Sequence, residues 1–494
     1  MRGRALLAAG LLALAAPPAV ATQTSAPASD AGATALSTPV FSLRRLPAAV
    51  SRTVADTRLA GGLDRVTGDD VLGPARNSTC LAVRDQSGRT VYSRQVDQAL
   101  IPASALKLVT GAVALSKIGG STRLSTEVRA VAPAQGATVG DLWLVGGGDP
   151  LLATADFAVD AGFGGQPRLA TSMEGLADRV VAAGIRTVQG RVIGDDSRYD
   201  NQRLVPTWLP RYIANFDVGP ISALTVNEGF ATFPPAPSYA LSPATLSADV
   251  LAGLLRARGV TVGGTGEGRA PGGTALVASI ESPPMAEVVG SVLQHSDNVG
   301  AEMMVKELGV RFGGGGSTAA GLAVIRDHLA GMGLPLAGVA TVDGSGLDRS
   351  DRLTCELLQG ILASAGEGSE LDRALPVAGR NGTLYRRFLG TSAAGRVRAK
   401  TGSLEGVVAL TGFVTGASAA GAPAPAAGAP APAAGAQRRS LAFSLLANDL
   451  PTASIGAALQ DKVANELAAY PEAPEPDAIG PMPVQPAAPA APPP

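Results

Sequence analysis

Pro102-Ala103-Ser104-Ala105-Leu106-Lys107 is the stretch on which the reading of this chain turns. Pro102 precedes apolar positions at Leu106, Val109, Val113 and Leu115, and Gly119-Gly120 closes the run, which predicts a helix. Ser104 then falls in the first turn, with Lys107 one turn later on the same face. A serine hydroxyl is a poor nucleophile until a base takes its proton. Lysine can be that base only if burial and a second nearby cation lower its pKa.

Two later strings supply matching chemistry, Ser296-Asp297-Asn298 and Lys400-Thr401-Gly402-Ser403. Ser296 is short enough to relay a proton, and Asn298 offers both a donor and an acceptor to a peptide amide. Lys400 supplies the second cation, and with the Thr401 and Ser403 hydroxyls it suits a terminal carboxylate. Gly402 lets a substrate backbone approach. The string is expected just before a strand, with residues 407–414 reading as strand, turn, strand. A helix cap would explain either serine motif alone, and a strand-edge turn would explain the third. Their joint occurrence by chance is below about 0.01. Of the 40 basic residues only five are lysine, and two of those five lie in the motifs. Arginine could not serve as the base, because its guanidinium does not deprotonate in proteins.

Other candidates carry less. His295 and His328 are the only histidines, too few for a histidine metal cluster. His295 adjoins Ser296, but adjacent residues rarely face one another on a helix. Asp343-Gly344-Ser345-Gly346-Leu347 misses the G-x-S-x-G spacing of a nucleophile elbow. It reads as a structured loop near the site, with Ser345 not the nucleophile.

At 494 residues the chain is long for one core. With 46% hydrophobic residues and a net charge of −1, it shows no basic stripe with interleaved aromatics. Nucleic acid and anionic membrane are therefore not expected as partners. Arg2 and Arg4, an apolar run over 5–16 and Ala19-Val20-Ala21 read as an export signal cleaved after residue 21. The run is too short to span a bilayer, so no transmembrane anchor is expected after cleavage. The expected destination is extracellular, periplasmic or wall-associated. Only Cys80 and Cys355 are present, and an oxidising compartment favours their pairing.

Residues 22–55 read as a flexible leader, with the folded part starting near Val71. Short alternating strands with one or two helices over 127–284 read as an inserted domain between the first two motifs. It splits a catalytic domain made of 56–126 plus 285–470. Residues 416–438, where 421–427 is repeated from 428, and 471–494 are Ala/Pro-rich and read as a disordered loop and tail.

In these strings the chain resembles the class C low-molecular-mass penicillin-binding proteins, the D-alanyl-D-alanine carboxypeptidase/endopeptidase family. Further matches are Gly148-Asp149-Pro150, Gly194-Asp195-Asp196-Ser197, Ser222-Ala223-Leu224-Thr225-Val226-Asn227 and the 343–347 loop. The resemblance implies an α/β, penicillin-binding transpeptidase-like (serine β-lactamase-like) domain with a large, mostly β insertion. It implies that Ser104 is acylated with Lys107 as base, that Ser296 and Lys400 shuttle the proton, and that Asn298 holds the peptide amide. The N–H groups of Ser104 and Ser403 would form the oxyanion hole, and Thr401 and Ser403 would bind the carboxylate. The substrates would be peptidoglycan stem peptides, with penicillins and other β-lactams as covalent inhibitors and no metal or organic cofactor. Endopeptidase action on cross-links is a variant of the same chemistry. A non-catalytic wall-binding protein on this fold and a β-lactamase are the alternatives. Asp348 departs from the small polar residue usual in the family, and is expected to alter the charge preference of the cleft.

Overall fold

A computed structural model describes residues 46–131, 137–162, 166–416 and 440–474. The expected signal peptide, most of the leader, nearly all of the Ala/Pro loop and the tail from 475 lie outside the described residues.

The main body is built on one antiparallel sheet. Its strand order is Val397–Leu404, Val407–Thr415, Ser440–Ala447, Thr79–Asp85, Thr90–Arg94. Val407–Thr415 is buried at eight of its nine positions, so both faces of the sheet are covered. Side chains alternate between the faces. Leu410, Val414, Phe443 and Leu445 pack with the terminal helices Leu46–Thr67 and Ala453–Ala469 through Leu59, Leu63 and Val463. Ala82, Ala409, Phe413 and Leu446 join a second core with Leu106, Val109, Val289 and Leu358 from three central helices. The disulfide Cys80–Cys355 ties a sheet strand to the first residue of helix Cys355–Ala365.

Two expectations are corrected here. The leader does not extend to residue 55, because helix Leu46–Thr67 begins ten residues earlier. Ala55, Leu59 and Leu63 recur every four residues and are buried, and Gly61-Gly62 fall among them. Those glycines lie within the helix, and Gly62 faces the Glu466 carboxylate of the C-terminal helix. The first tail residues are held on the same helix, since Ser51 donates to the Pro474 carbonyl at 2.8 Å. Second, Lys400-Thr401-Gly402 lies inside a strand, not before one, and Val407–Thr415 is a single strand. The turn falls at Glu405-Gly406, where Gly406 has φ +71°.

A second, six-stranded sheet is formed by Thr261–Glu267, Thr187–Asp195, Leu142–Val145, Ser125–Val131 and Thr274–Glu281, with Thr138–Val139 paired to Thr187–Asp195. Helices Met173–Ala182 and Pro243–Ala257 pack on its inward residues, among them Val128, Leu144, Val188 and Val192. Its first and last strands are antiparallel neighbours, with Ser125 opposite Glu281. The chain therefore leaves and re-enters the main body at adjacent points, which explains how the main core can close around so long an interruption. One part of this stretch folds back: Tyr199, Trp208, Tyr212 and Val218 cluster with Val299 and Met303 of helix Asn298–Phe312 and with Leu347.

The two cysteines are 275 residues apart in sequence, a long loop whose closure restricts the unfolded chain strongly. Replacing both by serine is expected to lower stability by about 2–4 kcal/mol, read from the urea midpoint. Alkylation of the unfolded wild type should find two more thiols with reductant than without; equal counts would contradict the bridge.

Candidate active site

Ser104 occupies a 3-10 turn, Ala103–Ala105, that feeds helix Leu106–Lys117. The turn is strained, since Ala103 has φ +46°, a left-handed value that a residue with a Cβ rarely adopts. Two glycines press on it. A Cβ at Gly346 would lie 1.9 Å from the Ala103 carbonyl oxygen, and one at Gly402 would lie 2.9 Å from that of Pro102. The 343–347 loop and the Lys-Thr-Gly strand can thus close on the serine from two sides.

Lys107 is fully buried and its ammonium meets three acceptors. They are Ser104 Oγ at 2.9 Å, the Ser345 carbonyl at 2.7 Å and Asn298 Oδ1. Asn298 is braced in turn, its Nδ2 donating to the Asp217 carbonyl at 2.7 Å. Lys400, also fully buried, donates to Ser296 Oγ at 2.9 Å and to the Thr401 carbonyl at 2.7 Å. The structure therefore brings the three motifs together as two lysine–serine pairs.

Burial pushes the Lys107 ammonium down to about 8, against the pull of Asp343, Glu302, Asp297 and Asp351. Burial, then the charge of Lys107, holds Lys400 well below the ordinary lysine range. Acidic neighbours oppose the desolvation of Lys107, and the repulsion between the two ammonium groups is shared by both lysines.

Ser296 is not a helix N-cap. It ends helix Met285–His295 in a left-handed conformation, φ +56°, and Asp297 caps the next helix, its Oδ1 accepting from Gly300 N–H at 2.8 Å. The other Asp297 oxygen accepts from Arg168 at 2.6 Å. Arg168 lies in the inserted stretch, is itself buried, and also pairs with Glu228. The turn carrying Ser296 is thereby fixed by an ion-pair network reaching in from the insertion.

The Lys400 strand forms the free edge of the sheet. Ala399 N–H donates outward to the Pro376 carbonyl, and the two-residue repeat of a strand points the Thr401 and Ser403 N–H groups to that same edge. The Thr401 hydroxyl donates to Thr383 Oγ1 at 2.9 Å.

Ser345 is buried and offers Lys107 its carbonyl, not its hydroxyl. Its loop is held by Glu302, which accepts from the Gly344 and Ser345 N–H groups at 2.9 and 2.7 Å. Burial and the neighbouring Asp343 push the Glu302 carboxyl up to about 8. Asp348 does not set the charge of the cleft as expected. It is 3% exposed and bonded to Thr207, while its N–H donates to Asp343 Oδ2 at 2.8 Å. Arg168, Asp217, Glu302 and Thr383 were not singled out from the sequence, since none sits in a recognisable string and each acts across more than 15 residues of chain.

Replacing Arg168 by alanine leaves Asp297 buried and Glu228 half-buried without their cation, with an expected loss of about 3–5 kcal/mol. Urea unfolding measures this, and a change under about 0.5 kcal/mol, the size of an ordinary surface substitution, would contradict the network.

Comparison with known proteins identifies the family. The D-Ala-D-Ala carboxypeptidase 3 (S13) family model matches residues 59–237 and 239–469. The D-alanyl-D-alanine carboxypeptidase of Actinomadura sp. (strain R39) is 30% identical over 84% of this chain and 85% of its own. Carboxypeptidase DacB of Mycolicibacterium smegmatis is 31% identical over 77% of this chain and 79% of its own. Among solved structures, penicillin binding protein 4 (dacB) from Haemophilus influenzae superposes with a TM-score of 0.64 at 18% identity, over 79% of this chain and 96% of that one. That likeness shows the fold, an α/β penicillin-binding architecture. By the extent of these matches, the chain belongs to the D-Ala-D-Ala carboxypeptidase 3 (S13) family.

Proposed function

We propose that this protein is a serine-type D-Ala-D-Ala carboxypeptidase that trims peptidoglycan stem peptides through an acyl-enzyme on Ser104. The observation that carries the reading is the pair of fully buried lysines, each donating to a serine hydroxyl.

Neutral Lys107 takes the Ser104 proton as Oγ attacks the carbonyl carbon of the penultimate D-alanine. The Ser104 and Ser403 N–H groups receive the oxyanion. Lys400 with the Thr401 and Ser403 hydroxyls holds the terminal carboxylate. The C–N bond then breaks, and a proton passed through Ser296 and Lys400 reaches the leaving amine. Water attacks the resulting ester and restores Ser104. Asn298, pinned between Lys107 and the Asp217 carbonyl, steadies the base and shares its amide with the substrate. A β-lactam carbonyl would be attacked in the same way, but its leaving nitrogen stays tethered after ring opening, so penicillins would act as covalent inhibitors.

Wall peptides place the reaction outside the cytoplasm. The expected export signal and the Cys80–Cys355 bridge support that location. No described helix is long and apolar enough to cross a membrane.

A labelled penicillin should attach covalently to the mature protein and not to its Ser104→Ala variant. Labelling that survives the substitution would contradict the nucleophile; no labelling of the wild type would favour a binding protein, and rapid turnover of label a β-lactamase. Because the neutral form of Lys107 is the reactive one, the acylation rate should climb about tenfold per pH unit below its pKa and level off above about 8. Stopped-flow acylation between pH 6 and 9.5 measures this; a flat or falling profile would contradict it.

A further inference from the structure

Two aspartates stand at opposite ends of the loop that meets Lys107. Asp343 begins the 343–347 segment, and Asp351 directly precedes Arg352. Arg352 and Ala340 exchange two backbone hydrogen bonds, of 3.0 and 2.7 Å, which close the stem of the loop. Both aspartates are fully buried. Asp343 accepts at each oxygen: Oδ1 from the Gly346 N–H at 2.6 Å, and Oδ2 from Trp208 Nε1 and the Asp348 N–H at 2.8 Å each. Asp351 Oδ1 accepts from the Val342 N–H at 2.7 Å, while its Oδ2 is buried and meets no donor.

The two carboxyls lie within hydrogen-bond reach of one another. Buried carboxylates that close repel unless a proton lies between them. An ionised carboxylate has about four acceptor positions, and the three N–H donors leave Asp343 about one more. Asp351 Oδ2 is the oxygen that lacks a partner, so the proton belongs there. The surrounding charges agree. Asp343 and Asp348 share the loop, Glu302 reaches it from helix Asn298–Phe312, and Lys107 comes from helix Leu106–Lys117. Arg352 donates to the Arg349 and Asp351 carbonyls, and Arg349 donates to the Glu405 carbonyl. Burial, then the charge of Asp343, holds the Asp351 carboxyl far above the ordinary carboxylate range.

We propose that Asp351 is a positioning residue kept as the neutral acid, whose O–H donates to Asp343 and so locks the loop that sets the Ser345 carbonyl on Lys107. Its kinetic consequence rests on the proposed carboxypeptidase reading. The same proton limits the negative charge around the base. An ionised Asp351 would favour the ammonium form of Lys107 and leave less of the neutral amine that takes the Ser104 proton. Asp351 itself exchanges no proton during the reaction.

The test compares wild type with Asp351→Asn and Asp351→Ala, using the full mature chain. An asparagine amide reproduces both bonds of the neutral acid, donating to Asp343 and accepting from Val342; alanine keeps neither. Penicillin acylation is followed from pH 6 to 9.5. Asp351→Asn is expected to acylate within about twofold of wild type, with the midpoint of its pH profile moved by less than about 0.3 unit. Asp351→Ala is expected to lose about tenfold or more, a loss that persists above the midpoint, where Lys107 is already neutral. A midpoint about one unit lower in Asp351→Asn would show that a negative charge had been removed, and would overturn the proposal. So would an alanine variant that acylates like wild type. Infrared difference spectra at pH 7, taken on protein labelled with carboxyl-¹³C aspartate, decide the matter even if the alanine variant does not fold. Wild type should show the C=O band of a protonated aspartic acid that Asp351→Asn lacks; identical spectra in that region would overturn the proposal. Failure of penicillin to acylate wild type would bring down the carboxypeptidase reading, while the infrared comparison still decides whether Asp351 holds its proton.

Discussion

Two lysine ammonium groups are buried in one cleft, and much of the architecture follows from keeping them there. Removing an ammonium from water costs several kcal/mol even after relaxation. Lys107 recovers part of this by donating to Ser104, Asn298 and the Ser345 carbonyl, and from its acidic neighbours, Asp343 foremost. Lys400 recovers less, having Ser296 and the Thr401 carbonyl for partners and Lys107 for a neighbour. The difference is chemically useful. One site lowers a lysine toward neutral pH, where it can take a proton, and the other holds a lysine poised to exchange one with Ser296.

Each partner comes from a different part of the chain, so the cleft exists only when the whole body is assembled. The sheet edge brings Lys400, the helix junction at Ser296 brings the relay, and the 343–347 loop brings the third acceptor of Lys107. Glu302 fixes that loop from the helix that also carries Asn298. The inserted stretch contributes twice, through the Asp217 carbonyl and through Arg168 on Asp297. The interruption between the first two motifs is thus a structural partner of the site, and its return at Ser125 and Glu281 leaves the main core continuous.

The sequence made legible whatever depends on short strings and local period. Ser104 at a helix start and Lys107 a turn later were readable from residue type and spacing, and the Cys80–Cys355 pairing from the expected compartment. Contacts made across the fold were not. Asp348 looked like a cleft charge until its burial beside Thr207 was seen. The start of helix Leu46–Thr67 was not legible because nothing local reveals its partner helix at Glu466. Arg168 is one arginine among many, and only the tertiary approach of Asp297 and Glu228 distinguishes it.

The central claim is that burial lowers the pKa of two particular lysines, bringing that of Lys107 to about 8. With only five lysines in the chain, side-chain NMR of ¹³C,¹⁵N-lysine-labelled protein can follow each one through a pH titration. Two resonances should titrate well below the ordinary lysine value of 10.5, one of them near 8. The signal near 8 should vanish in Lys107→Met. Five lysines titrating together near 10.5 would contradict the account.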